Sequence, residues 1–349
     1  MSAPIRVQAQ PLQEFVQALF VQAGLGADAA ASVARALVWA DLRGIDTHGI
    51  SRIASYMTLL DKGVMKAQPT WRVLHDTPAV QVFDADASAG APAMDHAVQQ
   101  AALKARALGL GLVMVRGTTH TGALGCFTQA LARQGMVGVA LAASIPLMAY
   151  HGAKAAGVST APLSIAVPGP DDEPMILDMA SGAISMGQLR AAKQSNTPLA
   201  EGVALDAQGE PTTDAQQAST VLPMAGPKGS GLALMFELLC SLVVGNPIIA
   251  DYFSDKPAGR RHRQNAWVLG VDVARFGDLA HYQQEVARTV AAIAGLPARD
   301  PQQGVRMPGE RGRLSLQRRL QEGIPVPAAL ARELADLPRP GGLALPWAG

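Results

Sequence analysis

Ala107-Leu108-Gly109-Leu110-Gly111-Leu112-Val113-Met114-Val115 is the stretch on which the fold turns. A Rossmann nucleotide-binding unit places GxGxxG directly after a strand, so that the pyrophosphate rests on the helix start that follows. Here Gly109 and Gly111 come at the front of the run Gly111 to Val115 that reads as the strand, and the third glycine is absent. The chain also lacks a Walker lysine pattern, HExxH and GxSxG. Any dinucleotide has to be held by a different scaffold.

Around that strand, β-rich runs at Trp71 to His75, Val80 to Phe83, Val137 to Ala143, Leu163 to Val167 and Met175 to Asp178 alternate with helical runs at Met94 to Ala107 and Cys126 to Gln134. Alternation of this kind predicts an α/β architecture. Upstream, Leu12, Phe15, Val16, Leu19 and Phe20 recur at helical spacing behind Pro11, and Gly24 is a stop signal. Further helices are expected from Ala29 to Arg43 and from Ser51 to Lys62, joined by the polar turn Gly44 to Gly49. Downstream, Lys228 opens a long apolar helix to Val244, a strand returns at Trp267 to Val271, and two helices precede a Pro/Arg/Gly-rich tail.

Composition narrows the function classes. The 349 residues hold 29 Lys and Arg against 28 Asp and Glu, a formal charge of +1, which offers no global attraction to nucleic acid or anionic membrane. Hydrophobic residues at 49% against 16% charged imply extensive burial, with room for a subunit interface. Cys126 and Cys240 are too few for a disulfide scaffold and too far apart for a metal-binding pair, which suits a reducing compartment. Met1 to Leu25 has no basic-then-apolar signal pattern, so a cytoplasmic protein is expected. Gln134 to Ala153 carries no charge, but Gly135, Gly138, Ser144, Pro146 and Gly152 interrupt it, predicting a buried strand and loop rather than a membrane helix.

Three constellations can carry chemistry. His48, Arg52 and Tyr56 are spaced by four in Asp46-Thr47-His48-Gly49-Ile50-Ser51-Arg52, so on a helix they share one face. The arginine fork matches a carboxylate, and His and Tyr add hydrogen bonds to a neighbouring oxygen; a solvated helix face behind a capping threonine is the alternative. His120 follows the Gly111 strand in Thr118-Thr119-His120-Thr121-Gly122, where a loop can present an imidazole for proton exchange, or simply cap or pack. Gly226-Pro227-Lys228-Gly229-Ser230-Gly231 opens the apolar helix, a seat for phosphate or a helix start with a solvated lysine. His75, His96, His262 and His281 have no comparable neighbours, and no cluster has metal-ligand spacing.

These segments, in order, resemble the malate/L-lactate dehydrogenase family, which includes sulfolactate and ureidoglycolate dehydrogenases. The resemblance runs through Ala40 to Gly49 with Arg52 and Tyr56, Thr119 to Gly122, Gln134 to Ala140 leading to Ser144, Leu177 to Ala180, Gly209 to Asp214, Gly226 to Gly229 and Met307 to Glu310, nearly the whole chain. It implies an α/β, non-Rossmann nicotinamide-binding fold: a central mixed sheet flanked by helices, plus a helix-rich domain built from the N- and C-terminal parts. The implied division is 1–70, 71–225 for the central cofactor and substrate domain, and 226–349 returning to the first. The implied activity is hydride transfer between nicotinamide C4 of NAD or NADP and C2 of a small 2-oxo or 2-hydroxy acid. By the same resemblance His120 donates and accepts the proton, Thr47, His48, Arg52 and Tyr56 hold the substrate, and Ser144, Asp178, Met179, Ala180, Lys228, Gly309, Glu310 and Arg311 contact the cofactor. A homodimer is implied as well; that no metal, nucleic acid or membrane partner is expected follows from the charge balance, the ligand spacing and the interrupted apolar run above.

The chain departs from the family pattern at three places. It has Thr160-Ala161-Pro162 where members read Thr-Asn-Pro, Ser230 where an aromatic follows Lys-Gly, and Tyr150-His151-Gly152 where Phe-Gly-Gly is usual. An alternative activity is therefore reduction of cyclic imino acids of the piperideine- or pyrroline-carboxylate type. A non-catalytic carboxylate or nucleotide binder is the reading from another class, and the joint presence of His120, Arg52 and Lys228 argues against it.

Overall fold

Gly109 takes φ +91° as the residue that ends a helix, and an added Cβ on Gly111 would lie 2.3 Å from the Ala101 carbonyl oxygen of that helix. The glycine pair is therefore a helix stop followed by a close helix–sheet contact. The computed structural model describes residues 4–338 and 342–347 except 171–172, 256, 301 and 303. Its elements are β1 (Ile5–Val7), α1 (Ala9–Gln22), α2 (Ala27–Leu42), α3 (Ile53–Asp61), β2 (Arg72–Asp76), β3 (Val80–Asp84), α4 (Gly90–Leu108), β4 (Leu110–Thr118), α5 (Gly125–Ala132), β5 (Met136–Ser144), β6 (Met148–Ala149), β7 (Ala156–Val158), β8 (Leu163–Val167) and β9 (Met175–Met179). They continue through α6 (Met186–Ser195), β10 (Ala204–Leu205), β11 (Thr220–Val221), α7 (Pro227–Glu237), α8 (Ile249–Tyr252), β12 (Gln264–Asp272), α9 (Leu279–Ala294), α10 (Glu310–Glu322), β13 (Ile324–Val326) and α11 (Ala328–Ala335).

A seven-stranded sheet in the order β2-β3-β4-β12-β5-β8-β9 forms the centre. Only β3 and β4 run parallel, joined through α4; every other pair is antiparallel. The sheet is mixed, as expected, and has no doubly wound parallel half. Gly111, Gly270 and Gly138 sit side by side on β4, β12 and β5. This row of missing side chains is a dent that seats α4 and α5, since a Cβ on Gly138 would stand 2.9 Å from the Thr128 carbonyl. The inner face of α4 is alanine (Ala93, Ala97, Ala101, Ala105), small against small. Beyond α4, α1 and α2 pack through Leu12, Phe15, Val16, Leu19 and Phe20, and β1 pairs with β13, so N- and C-terminal segments build one helical layer. The other face of the sheet holds a second cluster around Leu141, Met148, Phe236 and Cys240.

Four expectations need correction. The helix expected over 51–62 begins as a 3-10 turn at Ile50–Arg52 before α3. The single helix expected over 228–244 becomes α7 followed by a π turn at Leu238–Leu242. The closing region has a third helix, α11, because Ala331 and Leu334 are buried, with Leu330 packed on the core, at helical spacing within what reads as tail. Finally, the strand expected at 267–271 extends over Gln264–Asp272 and inserts between β4 and β5. Among the described residues no helix is long and apolar enough to cross a membrane, and no group of three or more His, Cys, Asp or Glu could hold a metal.

Candidate active site

The loop carrying His120 leaves β4 and is held from both sides. Thr118 and Thr119 hydroxyls donate to the Ser88 carbonyl at 3.2 and 2.9 Å. Thr121 gives its N–H and its hydroxyl to Gln264 Oε1 at 3.1 and 3.2 Å. Gln264 lies in register with both Thr118 and Ser144, so the ends of β4, β12 and β5 meet beside His120. The start of α4 closes the back, where a Cβ on Gly90 would sit 2.3 Å from the His120 carbonyl.

The segment from α2 to α3 is shaped by a buried carboxyl. Asp41 is 4% exposed and accepts the Ile50 N–H at 2.8 Å. An added Cβ on Gly49 would stand 1.7 Å from Asp41 Oδ1, so this approach requires glycine. Burial, opposed by the Ile50 N–H, pushes the Asp41 carboxyl up to about 8. Arg319 of α10 clasps the same segment: its Nη1 donates to the Asp41 carbonyl and meets Asp46 Oδ1 at 2.5 Å. Within the turn so fixed, Arg52 Nε donates to the Thr47 carbonyl at 2.6 Å and Thr47 Oγ1 is 3.0 Å from His48 Nδ1.

These side chains converge on His120. Tyr56 Oη is 2.7 Å from His120 Nδ1 and 3.5 Å from its carbonyl oxygen, and the His48 ring stacks on the His120 ring at 5.5 Å with 24° between planes. The convergence comes from two 3-10 turns and the first turn of α3, not from one helical face. Burial lowers His48 to about 4, aided by Arg52. Burial, then Arg52, His48 and His262, hold His120 well below the usual histidine range. Tyr56 is raised by burial and stays a phenol. Arg52 feels burial, Tyr56 and Arg190, so among the described residues no carboxylate acts on either imidazole or on the guanidinium. The arrangement suits an anion from outside the chain.

The residues named for cofactor gather along β9. Asp178 Oδ2 accepts the Gly125 N–H at the start of α5 at 2.8 Å, and burial pushes its carboxyl up to about 6. Beyond Met179 and Ala180, the Ser181 carbonyl would be 2.8 Å from a Cβ on Gly229, which brings Lys228 and the start of α7 to that end of the strand. At Ile176 the strand touches Gly309, whose φ is +79° and where a Cβ would lie 2.7 Å from the Ile176 oxygen; Glu310 and Arg311 follow in the first turn of α10. Ser144, 7% exposed, ends β5 beside Gln264. His151 packs near Gly226, its N–H donating to Ser230 Oγ at 3.1 Å, so two of the unusual residues touch each other.

Two neighbours escape the sequence reading. His262, two residues before Gln264, influences His120, and its Nε2 is enclosed without a partner among the described residues. Arg190 of α6 acts on Arg52, and that helix starts against Thr47, 2.4 Å from a Cβ on Gly187. Neither has a motif; only the long-range pairing of β12 and the packing of α6 bring them in.

A family model described as malate/L-lactate dehydrogenase matches residues 7–335. The ureidoglycolate dehydrogenase (NAD(+)) of Escherichia coli strain K12 is 29% identical over 325 residues, 92% of this chain and 93% of that protein. The (2R)-3-sulfolactate dehydrogenase (NADP(+)) of Chromohalobacter salexigens is 33% identical over 306 residues, 86% of this chain and 88% of its own. The crystal structure of Δ1-piperideine-2-carboxylate reductase from Pseudomonas syringae superposes with a TM-score of 0.85 at 26% identity, covering 95% of this chain and 99% of that one.

Proposed function

The chain belongs to the malate/L-lactate dehydrogenase family, and we propose that it transfers a hydride between NAD or NADP and C2 of a small acid bearing a 2-oxo or 2-hydroxy group. The observation that carries this reading is the Tyr56–His120–His48 stack beside Arg52, a cation and two neutral imidazoles on which no carboxylate acts among the described residues. A dinucleotide fits the donors around β9: Lys228 and Arg311 put cations at two helix starts, Ser144 adds a hydroxyl, and Asp178 to Ala180 lie between them. When bound, the nicotinamide supplies or takes the hydride at C4.

The chain's own groups do the rest. Arg52 holds the substrate carboxylate with its fork, and Thr47 fixes Arg52 through its carbonyl. Tyr56 accepts Nδ1–H of His120 while pointing its own proton toward the His120 carbonyl, which leaves Nε2 as the exchanging nitrogen. In reduction the ring, protonated on both nitrogens, gives its Nε2 proton to the oxygen on C2 and is left neutral with Nδ1–H; in oxidation the neutral ring takes the hydroxyl proton on Nε2. His48, stacked on the same ring, lowers its proton affinity and lines the substrate side.

A panel of 2-oxo acids and cyclic imino acids, each run with NADH and NADPH, tests the reading. Oxidation of reduced cofactor by oxo acids is the expected result; faster turnover of cyclic imines would replace the substrate class, and no turnover with either would overturn the activity. A second copy of the chain is the proposed partner. From Gly229 to Ala250 the one charged residue, Glu237, is buried, while Leu232, Met235, Leu239, Leu242 and Val243 form an exposed apolar stripe. Light scattering should give a dimer mass, and Leu239→Asp should shift it toward the monomer.

A further inference from the structure

Side chains on the approach to β12 alternate between two neighbourhoods. Arg263 donates through Nη2 to the Pro247 carbonyl and meets Asp251 Oδ2, both at 2.7 Å. Asn265 gives its amide to the Ser241 hydroxyl and the Asn246 carbonyl, both at 2.9 Å. These two face the 241–251 segment. Gln264 turns the other way and takes the N–H and hydroxyl of Thr121, beside His120. Because successive side chains of an extended chain point to opposite sides, His262 falls with Gln264, on the His120 side. The electrostatics agree with that placement: His262 lowers the proton affinity of His120, and Arg52 lowers that of His262.

His262 nevertheless takes no hydrogen bond among the described residues, and its Nε2 is enclosed. An enclosed polar nitrogen without a partner is costly, and a ligand that supplies one offsets that cost. The proposed reaction already gives two of the three groups on C2 a partner, with the carboxylate on Arg52 and the oxygen on His120. The third group is C3. A methyl or methylene there would leave the His262 Nε2 dry and unmatched. An oxygen or nitrogen on C3 would hydrogen-bond with it, since a neutral imidazole nitrogen either donates or accepts according to tautomer.

We propose that His262 sets substrate specificity, its Nε2 hydrogen-bonding a polar group on C3 of the acid. The inference rests on the reading of the chain as a dehydrogenase of 2-oxo and 2-hydroxy acids. It narrows that reading to acids whose C3 carries a hydroxyl, carboxylate, sulfonate or nitrogen group. Pyruvate and the cyclic imines, whose C3 bears only hydrogen and carbon, fall on the disfavoured side, because they leave an enclosed imidazole unpaired.

The test is the ratio of kcat/KM for 3-hydroxypyruvate to that for pyruvate, two acids that differ by one hydroxyl on C3. It is measured with NADH and NADPH in the wild type, His262→Leu and His262→Gln. The wild type should prefer 3-hydroxypyruvate by about 10–100-fold. The ratio should fall toward one in His262→Leu and recover in part in His262→Gln, which keeps an amide near the place of Nε2. A merely structural role would lower both rates together and leave the ratio where it was, and that result in a folded variant would overturn the proposal. A wild type that prefers pyruvate or a cyclic imine would overturn it as well, with no variant needed. Turnover of oxo acids without a preference at C3 removes only the role of His262; turnover of none removes the dehydrogenase reading and that role with it.

Discussion

The phenol oxygen of Tyr56 stands 2.7 Å from Nδ1 of His120, and in the proposed function this contact decides which nitrogen of the imidazole is left for chemistry. Burial, Arg52, His48 and His262 all lower its proton affinity, so in the free protein the ring is neutral at about pH 7. The kcat/KM for oxidation of the hydroxy acid, which needs the neutral ring, should rise with pH to a plateau, with its midpoint below 6.5, the ordinary histidine value. Reduction should fall over the same range. His120→Asn should lose about 10²–10⁴-fold in turnover and flatten both limbs. His48→Gln should move the midpoint upward, because one of the groups that lowers it is gone. A pH limb that survives in His120→Asn and vanishes in His48→Asn would transfer the proton role to His48.

In the proposed function Arg52 holds the carboxylate, with its Nε already spent on the Thr47 carbonyl. Arg52→Ala should raise KM for the acid strongly, by an amount on the order of 2–5 kcal/mol, and Arg52→Lys should recover only part, since a point charge lacks the fork. Steady-state kinetics on the three proteins decides this; identical KM values would remove Arg52 from the substrate.

Lys228 sits in the first turn of α7, exposed, next to the segment that follows β9. Lys228→Ala should weaken binding of reduced dinucleotide while the pH midpoint of turnover stays where it was. Fluorescence titration together with a pH profile separates the two; a shifted midpoint with unchanged affinity would contradict the assignment.

Asp41 ties folding stability to pH. Its carboxyl is raised from 3.8 to about 8, so between those values the folded protein keeps a proton that the unfolded chain has released. Stability from this group is therefore full below about pH 4 and falls as pH climbs toward 8. Asp41→Asn keeps an oxygen for the Ile50 N–H and has no proton to lose. The melting temperature of the variant, relative to wild type, should improve steadily across that range; a difference independent of pH would show that Asp41 ionises normally.

Motif and spacing were enough to single out His48, Arg52, Tyr56 and His120, because those residue types are chemically legible in any loop. Their actual convergence was not, since it depends on two 3-10 turns held by Asp41 and Arg319, whose pairing across the chain no motif or spacing marks. The alternating apolar runs made the α/β layers visible. The insertion of β12 between β4 and β5 was not visible, as an apolar run carries no label for its neighbours. His262 became part of the site only through that insertion. The Pro/Gly content of the closing region likewise hid α11, whose burial of Leu334 is a tertiary fact.

The clasp from Arg319 to Asp41 spans 278 positions of chain. On the ribosome, strand β12 and with it the last member of the seven-stranded sheet emerges well before α10. At roughly 5–20 residues per second the sheet precedes its clasp by a few seconds. Until α10 arrives, the Asp46–Arg52 turn can have the Asp41 carboxyl on the Ile50 N–H but not the Arg319 clasp, and so lacks its finished hold. Competence for substrate is thus acquired late in synthesis, as a separate event from formation of the sheet.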